Sequence, residues 1–128
     1  MPRVFKAIEI EKEEKEIMRD YLDRHMPHVI CPDSVKRGEK FMVKVRMGEE
    51  YPHPDDDDHF IGLLQLWNRE TLLAEARYSA GVNGHRPTHV EVEFYIVAPD
   101  VSMNLSAMAV CTKHGLWQSE DKAVKVTD

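Results

Sequence analysis

The chain has 128 residues, of which 42% are hydrophobic and 31% charged, and its formal net charge is −6 at pH 7. This length suits a single domain, residues 1–128, that buries one core without disulfide bonds, and no apolar run approaches the roughly 20 residues of a membrane span. The negative charge argues against a nucleic-acid-binding protein, which would present a basic face. An anionic substrate would therefore need a local positive field, which a metal ion supplies.

The N-terminal 16 residues are rich in Glu and Lys and contain no apolar segment of the signal-peptide kind. We therefore expect a cytoplasmic protein. The two cysteines, Cys31 and Cys111, are too few for a disulfide framework in a chain of this size.

Residues 9–22 predict a short solvated helix, because opposite charges recur at i,i+4 around a stripe of Ile10, Ile17 and Tyr21. Pro27 restricts the preceding residue to extended conformations and ends the helix. This places His25 at the end of an element or in a loop.

The remainder of the chain is dominated by strand patterns. Period-2 alternation or short apolar runs predict strands over residues 39–47, 60–67, 72–80, 89–97, 105–111 and 122–127. The second and third of these form a hairpin with a short polar loop. Several short strands and one helix predict an all-β fold, an antiparallel β-sandwich.

The loop between the first two predicted strands carries two histidines. His53 lies between Pro52 and Pro54, which fix the backbone on both sides, and His59 follows six residues later. Four aspartates, residues 55–58, stand between them. They lack the alternating ligands, glycine and closing glutamate of an EF-hand, so we interpret them as a solvated acidic turn.

Cys111 and His114 form a second candidate metal-binding element. A thiolate and an imidazole three residues apart can face one centre if the backbone turns, and Gly115 can adopt the positive φ that such a turn needs. By itself the pair is more often a buried thiol beside a histidine than a metal site.

Taken together, His25-Met26-Pro27, the Pro-His-Pro motif with His59, and the Cys-x-x-His-Gly motif resemble the superoxide reductases of the one-iron neelaredoxin type. The resemblance runs from about residue 23 to the C-terminus and rests on three separated motifs. It implies one mononuclear non-haem iron, cycling between Fe²⁺ and Fe³⁺, in each chain. The implied ligands are four equatorial histidines and one axial cysteine, at positions His25, His53, His59, His114 and Cys111.

The resemblance also implies an immunoglobulin-like, seven-stranded sandwich and the one-electron reduction of superoxide to hydrogen peroxide, which detoxifies superoxide. Many relatives carry a second iron site on four N-terminal cysteines. This chain has no cysteine before Cys31, so a separate protein must supply electrons. A rubredoxin-like donor and a homotetramer are what the resemblance implies.

Two positions depart from the family pattern next to the first histidine. The family has Glu-Lys, a sixth iron ligand followed by a cation that guides superoxide, where this chain has Asp23 and Arg24. Aspartate is one methylene shorter, and arginine retains the charge but cannot donate a proton at neutral pH. Lys113, inside the Cys-x-x-His motif, offers a second cation that can take part of the lost lysine's role.

Two rival classes remain open at this point. A blue-copper electron carrier also places Cys and His in one loop of a β-sandwich, but it uses fewer histidines. Such a site also has an axial methionine shortly after its second histidine, and residues 115–119 contain no methionine. A metal-free immunoglobulin-like binding module would make the histidines coincidental. We interpret His28, His85 and His89 as surface or loop residues.

Overall fold

The computed structural model describes residues 19–128. These residues form one helix and nine strands: α1 (Arg19–His25), β1 (Pro27–Ile30), β2 (Ser34–Lys36), β3 (Lys40–Met47), β4 (Ile61–Asn68), β5 (Thr71–Arg77), β6 (Glu91–Val97), β7 (Met103–Cys111), β8 (Gly115–Gln118) and β9 (Lys122–Thr127). No helix among these residues is long and apolar enough to cross a membrane.

The strands form two sheets. One sheet has the order β1-β3-β6, and the other has the order β2-β9-β7-β4-β5, with β8 paired to β7. Every pairing between these strands is antiparallel except that of β2 with β9, which is parallel.

The core lies between the sheets and follows directly from the alternation of side chains. In β3, Phe41, Val43, Val45 and Met47 are buried, whereas the residues between them are only partly covered. Period-2 alternation places one set of side chains on the inner face of a sheet. Full burial of such a side chain contributes about 1.5–3 kcal/mol of transfer free energy.

The mostly-β sandwich expected from the sequence is confirmed, with differences in detail. The described residues contain nine strands, whereas the sequence patterns predicted six and the family resemblance implied seven. The three strands that the patterns missed, β1, β2 and β8, have only four, three and four residues. Such lengths are too short to show alternation in a sequence. The third predicted strand ends at Arg77 instead of residue 80, and the pairing of β2 with β9 is parallel, not antiparallel.

The predicted helix lies partly outside the described residues. Residues 9–18 are among those not described, and residues 19–22 are helical as expected. The helix continues to His25 and ends there, next to Met26 and Pro27. The interpretation that Pro27 ends this helix is confirmed.

Several chain segments meet at one end of the sandwich. Here α1 runs into β1, whose first residue, Pro27, pairs with Met47 at the end of β3. At the same end, the first residue of β4, Ile61, pairs with the last residue of β7, Cys111. The histidine-bearing loop between β3 and β4 therefore closes over the end of β7.

The burial of Leu66 in β4 can be tested by comparison with an exposed leucine. Leu66 is fully buried, whereas Leu72, on the neighbouring strand, is 42% exposed. We expect Leu66→Ala to lower the free energy of unfolding by about 2–5 kcal/mol, because it leaves a cavity in the core. Leu72→Ala should cost less than about 1 kcal/mol. Urea denaturation of the metal-free protein measures both free energies of unfolding, and equal losses would contradict the burial of Leu66.

Candidate metal centre

His25 is the last residue of α1 and is completely buried. Its Nδ1 lies 2.7 Å from the carbonyl oxygen of Tyr21, one helical turn earlier. Because a carbonyl only accepts hydrogen bonds, Nδ1 carries the proton and Nε2 presents a lone pair. Burial lowers the pKa of His25 to about 4, despite the opposing effect of this hydrogen bond. The ring is therefore neutral at physiological pH and able to bind a metal.

His53 lies in the loop between β3 and β4, and a backbone carbonyl oxygen holds its ring as in His25. Its backbone forms two hydrogen bonds with Thr88, of 2.9 and 3.0 Å, and its Nδ1–H donates to the Pro54 carbonyl oxygen at 2.8 Å. The side chain is completely buried, and burial lowers its pKa to about 4. The Nε2 atom of this neutral ring lies 3.3 Å from the Sγ of Cys111.

His59 lies in the loop between β3 and β4, two residues before β4 begins. Two backbone hydrogen bonds with Asp56, of 2.9 and 3.0 Å, close the turn that precedes it. Its Nε2 is buried, and no hydrogen-bond partner for it exists among residues 19–128. Burial lowers the pKa of His59, with further contributions from His114 and Lys113. A buried, neutral nitrogen without a partner is a candidate metal ligand.

Cys111 and His114 occupy the hairpin between β7 and β8. Gly115 has φ +81°, a conformation that favours glycine and lets the chain reverse there, as the sequence predicted. The backbone N–H of His114 donates to the Cys111 sulfur at 3.3 Å, and the His114 Nδ1 lies 3.7 Å from it. Burial raises the pKa of the Cys111 thiol, although hydrogen bonds from the backbone of residues 113 and 114 act against this effect.

The four imidazole rings stand at the corners of a slightly folded square. Neighbouring ring centroids, taken in the order His25, His53, His59, His114, are 4.8–5.0 Å apart, and neighbouring rings are inclined by 75–84°. The diagonal from His25 to His59 is 6.4 Å, and these two rings are nearly parallel, at 22°. Four nitrogen donors are therefore brought together around one centre.

The donor atoms converge closely enough to hold one ion. One ligand atom from each of His25, His59, Cys111 and His114 lies within 4.8 Å of every other. His53 lies outside that tightest group and joins it through its contact with the sulfur. Neutral imidazole and thiolate are the donors that zinc, copper and iron prefer in proteins, in contrast to calcium or magnesium. The residues present thus fit a transition-metal ion.

Two aromatic side chains enclose one side of this cluster. Trp117 stacks on His25, with ring centroids 4.8 Å apart and an angle of 19°, and its Nε1–H donates to the His114 carbonyl oxygen at 3.2 Å. Tyr21 makes an edge contact with His114 at 5.2 Å. Trp117 therefore packs against the edge of the site. The part played by Tyr21 was missed, because a helical stripe of apolar residues reads as core.

The two cations suggested by the sequence lie beside the cluster. Arg24 folds back along α1, where its Nε donates to the Asp20 carbonyl oxygen at 3.1 Å and its guanidinium lies 3.3 Å from the Asp20 carboxylate. Its charge contributes to the lowered pKa of both His25 and His53. Lys113 is exposed. Its field acts on the other side of the site, where it contributes to the lowered pKa of His59.

Asp23, the other residue singled out beside the first histidine, is engaged elsewhere. Its carboxylate accepts hydrogen bonds from three consecutive backbone N–H groups in the loop after β3. Burial acts to raise the pKa of Asp23, but these hydrogen bonds outweigh it and hold the pKa below the ordinary value.

The acidic turn differs from its expected form at one residue. Asp56, Asp57 and Asp58 are exposed, but Asp55 is only 2% exposed. Its carboxylate accepts hydrogen bonds from the backbone N–H groups of residues 81, 83 and 85, at 2.9–3.1 Å. The interpretation of all four as solvated is therefore wrong for Asp55. Sequence reasoning missed this role because the partners are 26–30 residues away.

The other histidines and the second cysteine lie outside the cluster. His85 is exposed and pairs with Asp57 at 3.1 Å, and the partly buried His89 contacts the Met47 carbonyl oxygen at 3.0 Å. His28 is also partly buried, on β1. Cys31 is a free, partly buried thiol.

The sandwich and its cluster define a small β-sheet metalloprotein with a histidine-rich mononuclear site. Residues 9–120 match the desulfoferrodoxin family, to which this chain therefore belongs. The match covers most of the sequence and includes every histidine and cysteine of the cluster.

Individual relatives agree with this assignment. The chain is 30% identical to the neelaredoxin of Megalodesulfovibrio gigas over 117 residues, which covers 80% of this chain and 87% of that protein. It is 27% identical to the superoxide reductase of Pyrococcus furiosus over 110 residues, or 77% of this chain and 86% of the relative. The structure of the superoxide reductase (neelaredoxin) from Ignicoccus hospitalis superimposes with a TM-score of 0.73, at 25% identity, over 97% of this chain and 95% of that one.

The role of Asp55 can be tested against its neighbour in the turn. We expect Asp55→Ala to lower the free energy of unfolding of the metal-free protein by about 3 kcal/mol, because three buried N–H groups lose a charged acceptor. Asp57→Ala, whose side chain is 87% exposed, should cost less than about 1 kcal/mol. Denaturation followed by circular dichroism measures both losses. If the two variants were equally stable, Asp55 would not hold the loop.

Proposed function

We propose that this protein is a superoxide reductase, which detoxifies superoxide by reducing it to hydrogen peroxide. The reaction consumes one superoxide ion, one electron and two protons for each hydrogen peroxide formed. The observation that carries the proposal is the square of four imidazoles with a cysteine sulfur beside it, in a chain of the desulfoferrodoxin family. The relatives named superoxide reductase and neelaredoxin support the same activity.

The proposed iron ligands are the five residues of the cluster. The Nε2 atoms of His25 and His53 are directed by the carbonyl oxygens that hold their Nδ1–H groups. His59 contributes its Nε2, which has no hydrogen-bond partner among the described residues. His114 contributes Nδ1, the atom that faces both the sulfur and the Nε2 of His25, at 3.7 and 3.2 Å. Cys111 contributes its sulfur.

Iron held at these residues would supply a one-electron Fe²⁺/Fe³⁺ couple and a positive charge that attracts an anion. The chain contributes the environment for that chemistry. Four neutral imidazoles add no negative charge of their own, so the field at the site stays positive. The aromatic contacts of Trp117 and Tyr21 exclude water from the side of His25. The buried position of Cys111 keeps its sulfur away from solvent and from competing oxidants.

Arg24 and Lys113 are proposed to guide superoxide to the site. The protein carries a net charge of −6, so a superoxide anion is repelled at long range and needs local cations near the ligands. The fields of Arg24 and Lys113 reach different histidines of the square. Arginine holds its proton at neutral pH, so Arg24 attracts the anion while water or Lys113 supplies protons.

The electron must come from outside the described site. Within residues 19–128, one cluster of histidine and cysteine side chains is arranged to hold a metal. We propose a rubredoxin-like protein as the donor, on the strength of the family resemblance. The cytoplasmic location and the homotetramer expected from the sequence are parts of the same proposal.

The metal content separates the proposal from its rivals. Protein purified without chelators should contain about one iron per chain, where a blue-copper carrier would contain copper and a binding module neither metal. We expect Cys111→Ser to abolish the visible thiolate-to-iron absorption and to lower the iron content, because it removes the only sulfur of the cluster. Cys31→Ser is the matched control and should retain both properties. Full iron content and colour in Cys111→Ser would refute the ligand assignment.

The guiding role of the cations predicts a charge-dependent rate. We expect Arg24→Glu to lower the second-order rate constant with superoxide by about tenfold at low ionic strength, and Lys113→Glu to act in the same direction. Arg37→Glu makes the same change of net charge at the far end of the sandwich, after β2, and should leave the rate nearly unchanged. Pulse radiolysis at several salt concentrations measures these rates. An unchanged rate in Arg24→Glu would remove Arg24 from the mechanism.

A further inference from the structure

The carboxylate of Asp23 joins two distant parts of the chain. Asp23 lies in the last turn of α1, two residues before His25. Its Oδ1 accepts the backbone N–H of Glu49 at 3.1 Å, and its Oδ2 accepts those of Glu50 and Tyr51 at 3.0 and 2.7 Å. One side chain thus binds three consecutive amides that follow β3.

These three amides lead directly into the second histidine segment. Tyr51 is separated from His53 by one residue, Pro52, whose fixed φ limits independent movement of the two. A further hydrogen bond, of 2.9 Å, runs from the Gly48 N–H to the Met26 carbonyl oxygen. A side chain at Gly48 would place its Cβ 3.2 Å from the Asp23 carbonyl oxygen, so the two segments are in close contact.

The position of Asp23 in the helix makes these bonds necessary. A negative charge at the C-terminal end of a helix faces the negative end of the helix dipole, which is unfavourable. The side chain is also partly buried. Three N–H donors compensate both costs, because hydrogen bonds to a charged acceptor are stronger than neutral ones.

The same bonds oppose the use of Oδ2 at the metal, and they oppose any movement of the whole carboxylate towards it. Each oxygen of a carboxylate has two lone-pair directions. Both directions of Oδ2 are occupied by the amides of Glu50 and Tyr51. To bind iron through Oδ2, Asp23 would have to give up at least one of these bonds, and a turn of the whole side chain would break all three.

We propose that Asp23 is a positioning residue that clamps the segment of His25 to the segment of His53, and that its carboxylate stays on the three amides in both oxidation states. The clamp is a property of the chain itself, whereas the statement about oxidation states rests on the function proposed above. Residue 23 thereby fixes the distance between two ligand segments without contacting the metal.

The clamp is tested on the metal-free protein by amide hydrogen exchange followed by NMR. We expect Asp23→Asn to accelerate exchange at Glu50 and Tyr51 by roughly ten- to hundredfold, the factor that corresponds to losing one charge-assisted hydrogen bond. It should also lower Tm by about 5 °C. Glu49→Gln is the matched control, because it removes the same charge from an exposed side chain in the same loop and leaves both values unchanged.

Each result of this experiment bears on the clamp alone. Equal exchange in wild type and Asp23→Asn would overturn it. If Asp23→Asn does not fold, the wild-type protein decides, since rapid exchange of the Tyr51 amide would itself refute the clamp. The exchange is measured on the metal-free protein. If the protein then bound no iron or reduced no superoxide, the proposed function would be contradicted, but the exchange result for the clamp would still hold.

The iron-loaded protein tests the second half of the proposal. Hydrogen exchange measured by mass spectrometry should show equal protection of residues 48–52 in the ferrous and the ferric protein. Loss of protection there on oxidation would mean that Asp23 leaves the amides when the iron loses an electron, and would overturn the proposal.

Discussion

The rest of the structure depends on the convergence of lone pairs at one end of the sandwich. The Nδ1 protons of His25 and His53 are held by backbone carbonyl oxygens, so the Nε2 atoms of these neutral rings reach the centre as acceptors. His59 brings a third nitrogen without a partner among the described residues, and Cys111 brings a buried sulfur. A buried acceptor without a donor, such as the Nε2 of His59, is costly. A cation bound at the centre would compensate this cost and would also accept the lone pairs of the other donor atoms, in agreement with the proposed function.

The backbone and two carboxylates hold these donors in place. The four histidines lie on three separate segments: the end of α1, the loop between β3 and β4, and the hairpin after β7. Asp23 binds the first segment to the second, and Asp55 binds the second to the loop before β6. Thr112 ties the hairpin after β7 to the loop before β4, because its hydroxyl oxygen accepts a hydrogen bond from the Phe60 N–H at 3.1 Å. Each segment of the cluster is thus tied to another part of the chain, as a site with fixed geometry requires.

The longer strands could be predicted from the sequence because each alternates along its own length. The run from Phe41 to Met47 carries four inward-facing side chains, and the prediction of β3 differs from the structure by one residue. The strands β1, β2 and β8 could not be predicted, since three or four residues contain at most two inward positions. The parallel pairing of β2 with β9 joins residues about 90 positions apart, and nothing in either segment encodes its partner.

The candidate site could also be predicted only in part from the sequence. The proline-flanked histidine and the Cys-x-x-His-Gly turn are local features, but neither identified a metal site by itself. His25, His53, His59, Cys111 and His114 were singled out because three separated motifs together resemble one family. Tertiary structure alone decided that these residues meet, that their rings form a square, and that Asp23 and Asp55 face backbone amides. Those facts depend on contacts between segments 26 or more residues apart. A carboxylate in a sequence shows its charge, but only the folded chain determines which donors surround it.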